Sequence, residues 1–190
     1  VQIIVLTQTH PRRAEIEAFI TDVYRRHYGA SVPAFPPTLL ALTGRNDECL
    51  CASGLRYAET GFFSECYLDG PIEKLLSEAA DSPVRRERIF EVSGLASRAP
   101  HRSAQFLRCI VSYGEGAGFD WAFFTATARL RGLLRALGLP MLVLGEARRQ
   151  RAQNPQAWGS YYQGAPLVCA ISRSVAKAYL SGQARSSVHA

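Results

Sequence analysis

Lysine is almost missing from this chain. Only Lys74 and Lys177 interrupt a basic complement otherwise made of arginine, within a Lys+Arg total of 22. The net charge of +6 is therefore carried by guanidinium groups, which favour bidentate contact with phosphate and carboxylate. Acidic partners fit that chemistry: a nucleotide pyrophosphate, a phosphopantetheine, an acidic carrier protein or an anionic membrane. The arginines are dispersed, which argues against nucleic-acid binding. Long apolar runs are also missing. None reaches the roughly 18 residues of a membrane span, and no signal peptide is visible, so a cytoplasmic location is expected. C-x-x-C spacing is absent among the five cysteines (Cys49, Cys51, Cys66, Cys109, Cys169). That speaks against a disulfide framework or a zinc site and for reduced thiols. His10, His27, His101 and His189 are scattered and suggest no metal.

What is present is the composition of a globular chain: 190 residues, 47% hydrophobic and 20% charged. This length fits one domain, expected over residues 1–180 with a tail at 181–190. Val1–Thr7 reads as a short β-branched strand. In Pro11–Tyr28, the residues Ile16, Phe19, Ile20, Val23 and Tyr24 recur at helical spacing, and Gly29 stops the helix. Thr38–Thr43 and Glu48–Ala58, joined by the turn Gly44–Asp47, predict an antiparallel hairpin. Phe62–Asp69 reads as extended. Pro71 opens a short helix over Ile72–Ala79, with Asp69 and Glu73 as its expected caps. Further helices are predicted over Ser103–Gly116, Ala128–Leu137 and Ser174–Leu180. Strands are predicted over Phe119–Thr127, Met141–Gly145 and Pro166–Ser172.

The most informative stretch is Ile89–Ser97, I-F-E-V-S-G-L-A-S. It is a strand carrying one acid, Glu91, in an apolar run, and Gly94 marks a bulge or a close backbone approach. A polar loop, Arg98–Ser103, leads from it into a helix. Strand, bulge, helix and strand together are a way to splay two parallel strands and open a slot beside Glu91. The whole order predicts a mixed α/β sheet, antiparallel at its start and parallel in its middle.

Several motifs carry a resemblance. Y-G-A (Tyr28–Ala30), F-P-P-T-L-L-A-L (Phe35–Leu42), Y-L-D-G-P-I-E (Tyr67–Glu73), E-V-S-G-L-A-S (Glu91–Ser97), F-T-A-T (Phe124–Thr127), the leucine-arginine helix Leu130–Leu139 and W-G-S-Y-Y (Trp158–Tyr162) resemble the thermostable hemolysin family. That family lies within the GNAT-like acyltransferase superfamily. S-G-L-R-Y (Ser53–Tyr57) and E-V-S-G-L more distantly resemble acyl-homoserine lactone synthases, placing Arg56 and Glu91 at that family's arginine and glutamate. The resemblance implies a GNAT-like mixed central sheet with helices on both faces and splayed middle strands. It implies an N-acyltransferase that moves a fatty acyl group from acyl-CoA or an acyl-carrier protein to a small amine or amino acid. No permanently bound cofactor is implied.

The resemblance also distributes roles. Glu91 would be the base, its pKa raised by burial, acting directly or through water; the alternative is a structural Glu paired with Arg56 or another arginine. Ser93, Gly94, Leu95 and Ser97 would hold the thioester arm. Arg98, Arg102 and Ser103 would meet its phosphate, Thr125 and Thr127 would contact the donor or end their strand, and Arg56 would meet the acceptor. The chain departs from the superfamily in three places. The loop Arg98–Ala104 has no glycine and contains Pro100, which offers no N–H. The usual Tyr acid falls at Leu134, leaving Tyr161 or Tyr162 as candidates, or a thiolate that departs unassisted. The second arginine of the synthases is Gly94. Trp121, Phe123 and the Phe62–Phe63 pair would line an acyl tunnel or fill the core. A membrane-active cytolysin and a non-catalytic acyl-binding module remain the alternatives.

Overall fold

The structure, a computed structural model, describes the backbone of residues 1–186 and the side chains of residues 1–182. Seven strands form one sheet: β1 (Gln2–Leu6), β2 (Thr38–Thr43), β3 (Cys49–Tyr57), β4 (Ile89–Ser97), β5 (Trp121–Ala126), β6 (Leu142–Glu146) and β7 (Leu167–Ser172). Their spatial order is β1-β2-β3-β4-β5-β7-β6. Among the described residues only β4 and β5 pair in parallel; every other neighbour is antiparallel. Among the described residues five α-helices flank the sheet: α1 (Arg13–Tyr28), α2 (Ile72–Ala80), α3 (Ser103–Gly116), α4 (Ala128–Ala136) and α5 (Arg173–Ser186). α5 runs past the boundary expected at residue 180, and residues 187–190 lie outside those described. No helix among the described residues is long and apolar enough to cross a membrane.

Strand alternation divides the core in two. Leu40, Leu42, Phe90 and Phe124 pack toward α3, α4 and α5. Leu39, Ala41, Ala52 and Ala96 face α1, whose apolar stripe Ile16, Phe19, Ile20, Val23, Tyr24 is buried as its spacing predicts. Phe62, Phe123 and Ala170 pack with Ile72 and Leu76 of α2.

One expected element differs. Phe62–Asp69 is not extended: a 3₁₀ turn occupies Ser64–Tyr67. Two inward-pointing amides there serve a buried carboxylate instead of a sheet ladder. Neither Asp69 nor Glu73 caps α2. The Ile72 amide donates to Glu65 Oε1 at 2.9 Å, while Asp69 pairs with Arg151 and Glu73 with Arg86.

The sheet opens where β4 meets β5. Their parallel pairing runs from Ile89↔Trp121 to Val92↔Phe124 and stops, although β4 continues to Ser97 along β3 and β5 to Ala126 along β7. Just past that point β4 carries one extra residue: Ala52 faces Ala96, yet Gly54 faces Ser93. Gly94 takes φ +61 there, a left-handed conformation that side chains resist.

Candidate functional site

A cleft of about 530 Å³ occupies the gap between the parted strands. Its lining comes from both faces of the sheet. On one face it is aliphatic and aromatic, with Phe106 and Ile110 of α3, Leu130, Leu133 and Leu134 of α4, and Phe124. On the other it is aromatic with polar tips, from Tyr24, Tyr28, Phe63, Ser64, Trp158 and Tyr161. The bulge residues Ser93, Gly94 and Leu95 form the rim between the two halves. Beyond Val92 the β5-facing side of β4 has no strand partner, leaving backbone groups for an extended ligand to meet.

Glu91 lies beneath the aromatic half and is fully buried. It sits opposite Arg56 across β3 and beside Phe123 across β5. Three donors hold its carboxylate. The Phe63 amide meets Oε2 at 2.6 Å, the Ser64 amide meets Oε1 at 2.9 Å, and the Ser64 hydroxyl meets Oε1 at 2.6 Å. Burial pushes the Glu91 carboxyl above its ordinary value, while these hydrogen bonds and the charge of Arg56 pull the other way. Arg56 thus acts on Glu91 through its field; its Nε is buried without a hydrogen-bond partner. The Ser64 oxygen also lies 2.8 Å from Thr125 Oγ1, and Thr125 faces the cleft. A line of hydroxyls therefore joins the cleft to a carboxylate that solvent does not reach.

Tyr161 stands in the same half, 9% exposed. Its ring packs on Tyr24, Tyr28 and Trp158, and its hydroxyl donates to the Thr125 carbonyl at 3.4 Å. Burial holds the phenol well above its usual pKa, so it stays protonated and able to donate. The turn carrying it is fitted closely to α1. Gly159 has φ +52, and a Cβ there would lie 2.0 Å from the Tyr28 carbonyl oxygen. Tyr162 instead meets the Tyr67 hydroxyl at 2.7 Å.

The expected donor contacts separate into two groups. Ser93, Gly94, Leu95, Ser97, Ser103, Thr125 and Thr127 all line the cleft. Thr127 also caps α4, accepting from the Leu130 amide at 3.4 Å. Arg98 and Arg102 are not among the lining residues. Arg98 reaches Asp22 on α1 at 2.5 Å and stacks its guanidinium over Phe19; Arg102 bonds Gln105 at 3.1 Å. The three arginines Arg25, Arg26 and Arg98 converge on Asp22 and lower its carboxyl to about 2. The loop's amides are also engaged. Those of Arg98, Ala99, Arg102 and Ser103 donate to Leu50 O, Ser97 Oγ, Ala99 O and Pro100 O. Together with Pro100 they leave little of the open backbone cradle that binds a pyrophosphate.

Of the aromatic candidates, Phe63 and Trp121 line the cleft, whereas Phe62 and Phe123 pack edge-to-face in the core. Sequence reading did not find Ser64, Tyr24 or Trp158. Ser64 follows two aromatics on a stretch read as a strand, and no local pattern links it to Glu91 27 residues away. Among the described residues, no three His, Cys, Asp or Glu side chains gather into a metal-ligand set.

A family model for the thermostable hemolysins matches residues 6–177, and the chain belongs to that family. No curated protein matches it. Among solved structures the chain is similar to the AHL synthase LasI, with a TM-score of 0.64 at 10% identity over 95% of each chain. It is also similar to FeeM, an N-acyl amino acid synthase from uncultured soil microbes, with a TM-score of 0.62 at 11% identity over 93% of this chain and 98% of FeeM. A third is MesI, a CoA-dependent acyl-homoserine lactone synthase, with a TM-score of 0.57 at 18% identity over 94% and 95%. At such identities the likeness is one of fold, and the architecture is GNAT-like α/β.

Proposed function

We propose that this member of the thermostable hemolysin family is an N-acyltransferase. It moves a fatty acyl group from a thioester, acyl-CoA or an acyl-carrier protein, to a small amine or amino acid. The observation that carries this reading is the two-sided cleft through the parted β4 and β5 strands. A thioester seated at the rim would send its alkyl chain toward Ile110, Leu130 and Leu134, where each buried methylene contributes about 0.8 kcal/mol. Its carbonyl would sit against the free backbone of the bulge, where N–H groups stabilise a developing oxyanion. The amine would approach from the aromatic half, within reach of Thr125 and Tyr161. Glu91 takes up the amine's proton and returns it to the departing thiolate, which Tyr161, held protonated, steadies with a hydrogen bond. The occupied amides after β4 favour a donor with a single phosphodiester, as on a carrier protein, over one needing a pyrophosphate cradle. That LasI, FeeM and MesI bear names of acyl-transfer enzymes supports the same direction.

The test is to incubate the purified protein with acyl-CoA and acyl-carrier donors and a panel of amines, following free thiol and product mass. Thioester consumption that depends on an amine is expected, with Glu91→Gln slower by roughly 10²-fold or more. No consumption with any pair, or a Glu91→Gln variant as fast as the parent, would overturn the reading.

A further inference from the structure

We infer that the Ser64 hydroxyl is the relay by which Glu91 exchanges a proton with the cleft, and that Thr125 is the outer end of that relay. The proposal rests on the acyl-transfer reading for the identity of its cargo, the proton of the acceptor amine.

Glu91 cannot reach a substrate itself. Its side chain is fully buried, and it does not line the cleft. Its two oxygens are taken by the Phe63 amide, the Ser64 amide and the Ser64 hydroxyl. Of these donors only the hydroxyl can both give and receive a proton; an amide cannot at ordinary pH. The Ser64 oxygen is 2.6 Å from Glu91 Oε1 and 2.8 Å from Thr125 Oγ1. Since the ionised carboxylate only accepts, Ser64 must donate to Glu91 and Thr125 must donate to Ser64. That leaves the Thr125 lone pairs directed at the cleft.

The order of events follows. As the amine nitrogen bonds to the thioester carbon, its proton passes to Thr125 Oγ1. The Thr125 proton moves to Ser64 Oγ and the Ser64 proton to Glu91 Oε1. The C–S bond then breaks, and the chain running backward carries the proton to the thiolate sulfur. Each hydroxyl and the carboxylate end as they began, and the net transfer is one proton from nitrogen to sulfur. Glu91 is the proton's reservoir, Ser64 a positioning and relay residue, and Thr125 the group that touches substrate.

The experiment has two arms, both on the full chain. In the first, carboxyl-labelled glutamate and difference infrared spectroscopy titrate Glu91 in the parent, Ser64→Ala, Thr125→Val and Thr125→Ser. Glu91→Gln identifies the band. Loss of either hydroxyl weakens donation to the carboxylate, so the Glu91 midpoint is expected to rise in Ser64→Ala and, by less, in Thr125→Val. Thr125→Ser, which keeps the hydroxyl, should match the parent. In the second arm, kcat should fall roughly 10²-fold in Ser64→Ala and Thr125→Val, with donor KM little changed and Thr125→Ser retaining most of the rate. An unshifted Glu91 midpoint in Thr125→Val overturns the relay, with or without turnover. A shifted midpoint alongside undiminished kcat overturns it too. If the parent consumes no thioester, the acyl-transfer reading falls, while the titration still decides whether the cleft and Glu91 are coupled. Thr125→Val is nearly isosteric, so the conclusion does not depend on Ser64→Ala folding.

Discussion

The hydroxyl oxygens of Tyr67 and Tyr162 meet at 2.7 Å, although 95 residues separate them in the chain. The pair ties the Ser64–Tyr67 turn, which holds Glu91, to the Tyr161–Gly164 turn, which supplies the other wall of the aromatic half. Tyr162→Phe leaves both rings in place and removes this tie. It should cost about 1 kcal/mol in urea unfolding and raise the KM for the amine more than it lowers kcat.

Gly159 should not accept a side chain. Its positive φ and the 2.0 Å approach of a Cβ to the Tyr28 carbonyl are both met by Gly159→Ala. A loss of about 3 kcal/mol or more is expected. Thermal melts would register it, and near-ultraviolet circular dichroism would report displacement of the Trp158 and Tyr161 rings.

Filling the aliphatic half should select shorter donors. Leu133 lines the cleft from α4 and is only partly buried, so Leu133→Trp adds bulk with little overpacking. Competition between donors of different chain length, read by product mass, should shift toward the short ones. An unchanged preference would place the alkyl chain elsewhere.

Stability and turnover should respond to pH in opposite senses. Glu91 keeps its proton above the ordinary 4.5 when folded. Between 4.5 and its folded value the native state binds more protons than the unfolded chain, so stability falls as pH rises through that window and levels off beyond it. Turnover needs the carboxylate and rises through the same window. Melts and kcat profiles over about pH 4 to 8 would show both slopes, and Glu91→Gln should flatten the first while abolishing the second.

Much of the architecture was readable from spacing, because burial on one face of a helix or strand leaves a periodic trace. The α1 stripe and the whole of Ser103–Gly116 emerged as the pattern predicts. The parted strands were foreshadowed by Gly94, whose position in an apolar run has few other uses. What escaped notice depends on partners distant in sequence. Ser64 gains its importance from Glu91 and Thr125, and Arg98 is drawn to Asp22 on a helix 76 residues earlier. The extended reading of Phe62–Asp69 failed for the same reason, since only a buried carboxylate explains why those amides turn inward.

The extra residue in β4 also changes the strand's parity. In an unbroken strand, even-numbered side chains would share one side throughout. Here Phe90 and Val92 pack toward α3, but so does Leu95, and it is Ala96 that meets α1. Odd and even have exchanged places at Gly94. Deleting Gly94 alone would restore plain alternation: Gly54 would still face Ser93, Ala52 would still face Ala96, and Leu95 and Ser97 would keep the sides they now have. What would vanish is the left-handed residue at the rim of the cleft. The flanking core does not need the extra residue, so its consequence is confined to the opening beside it.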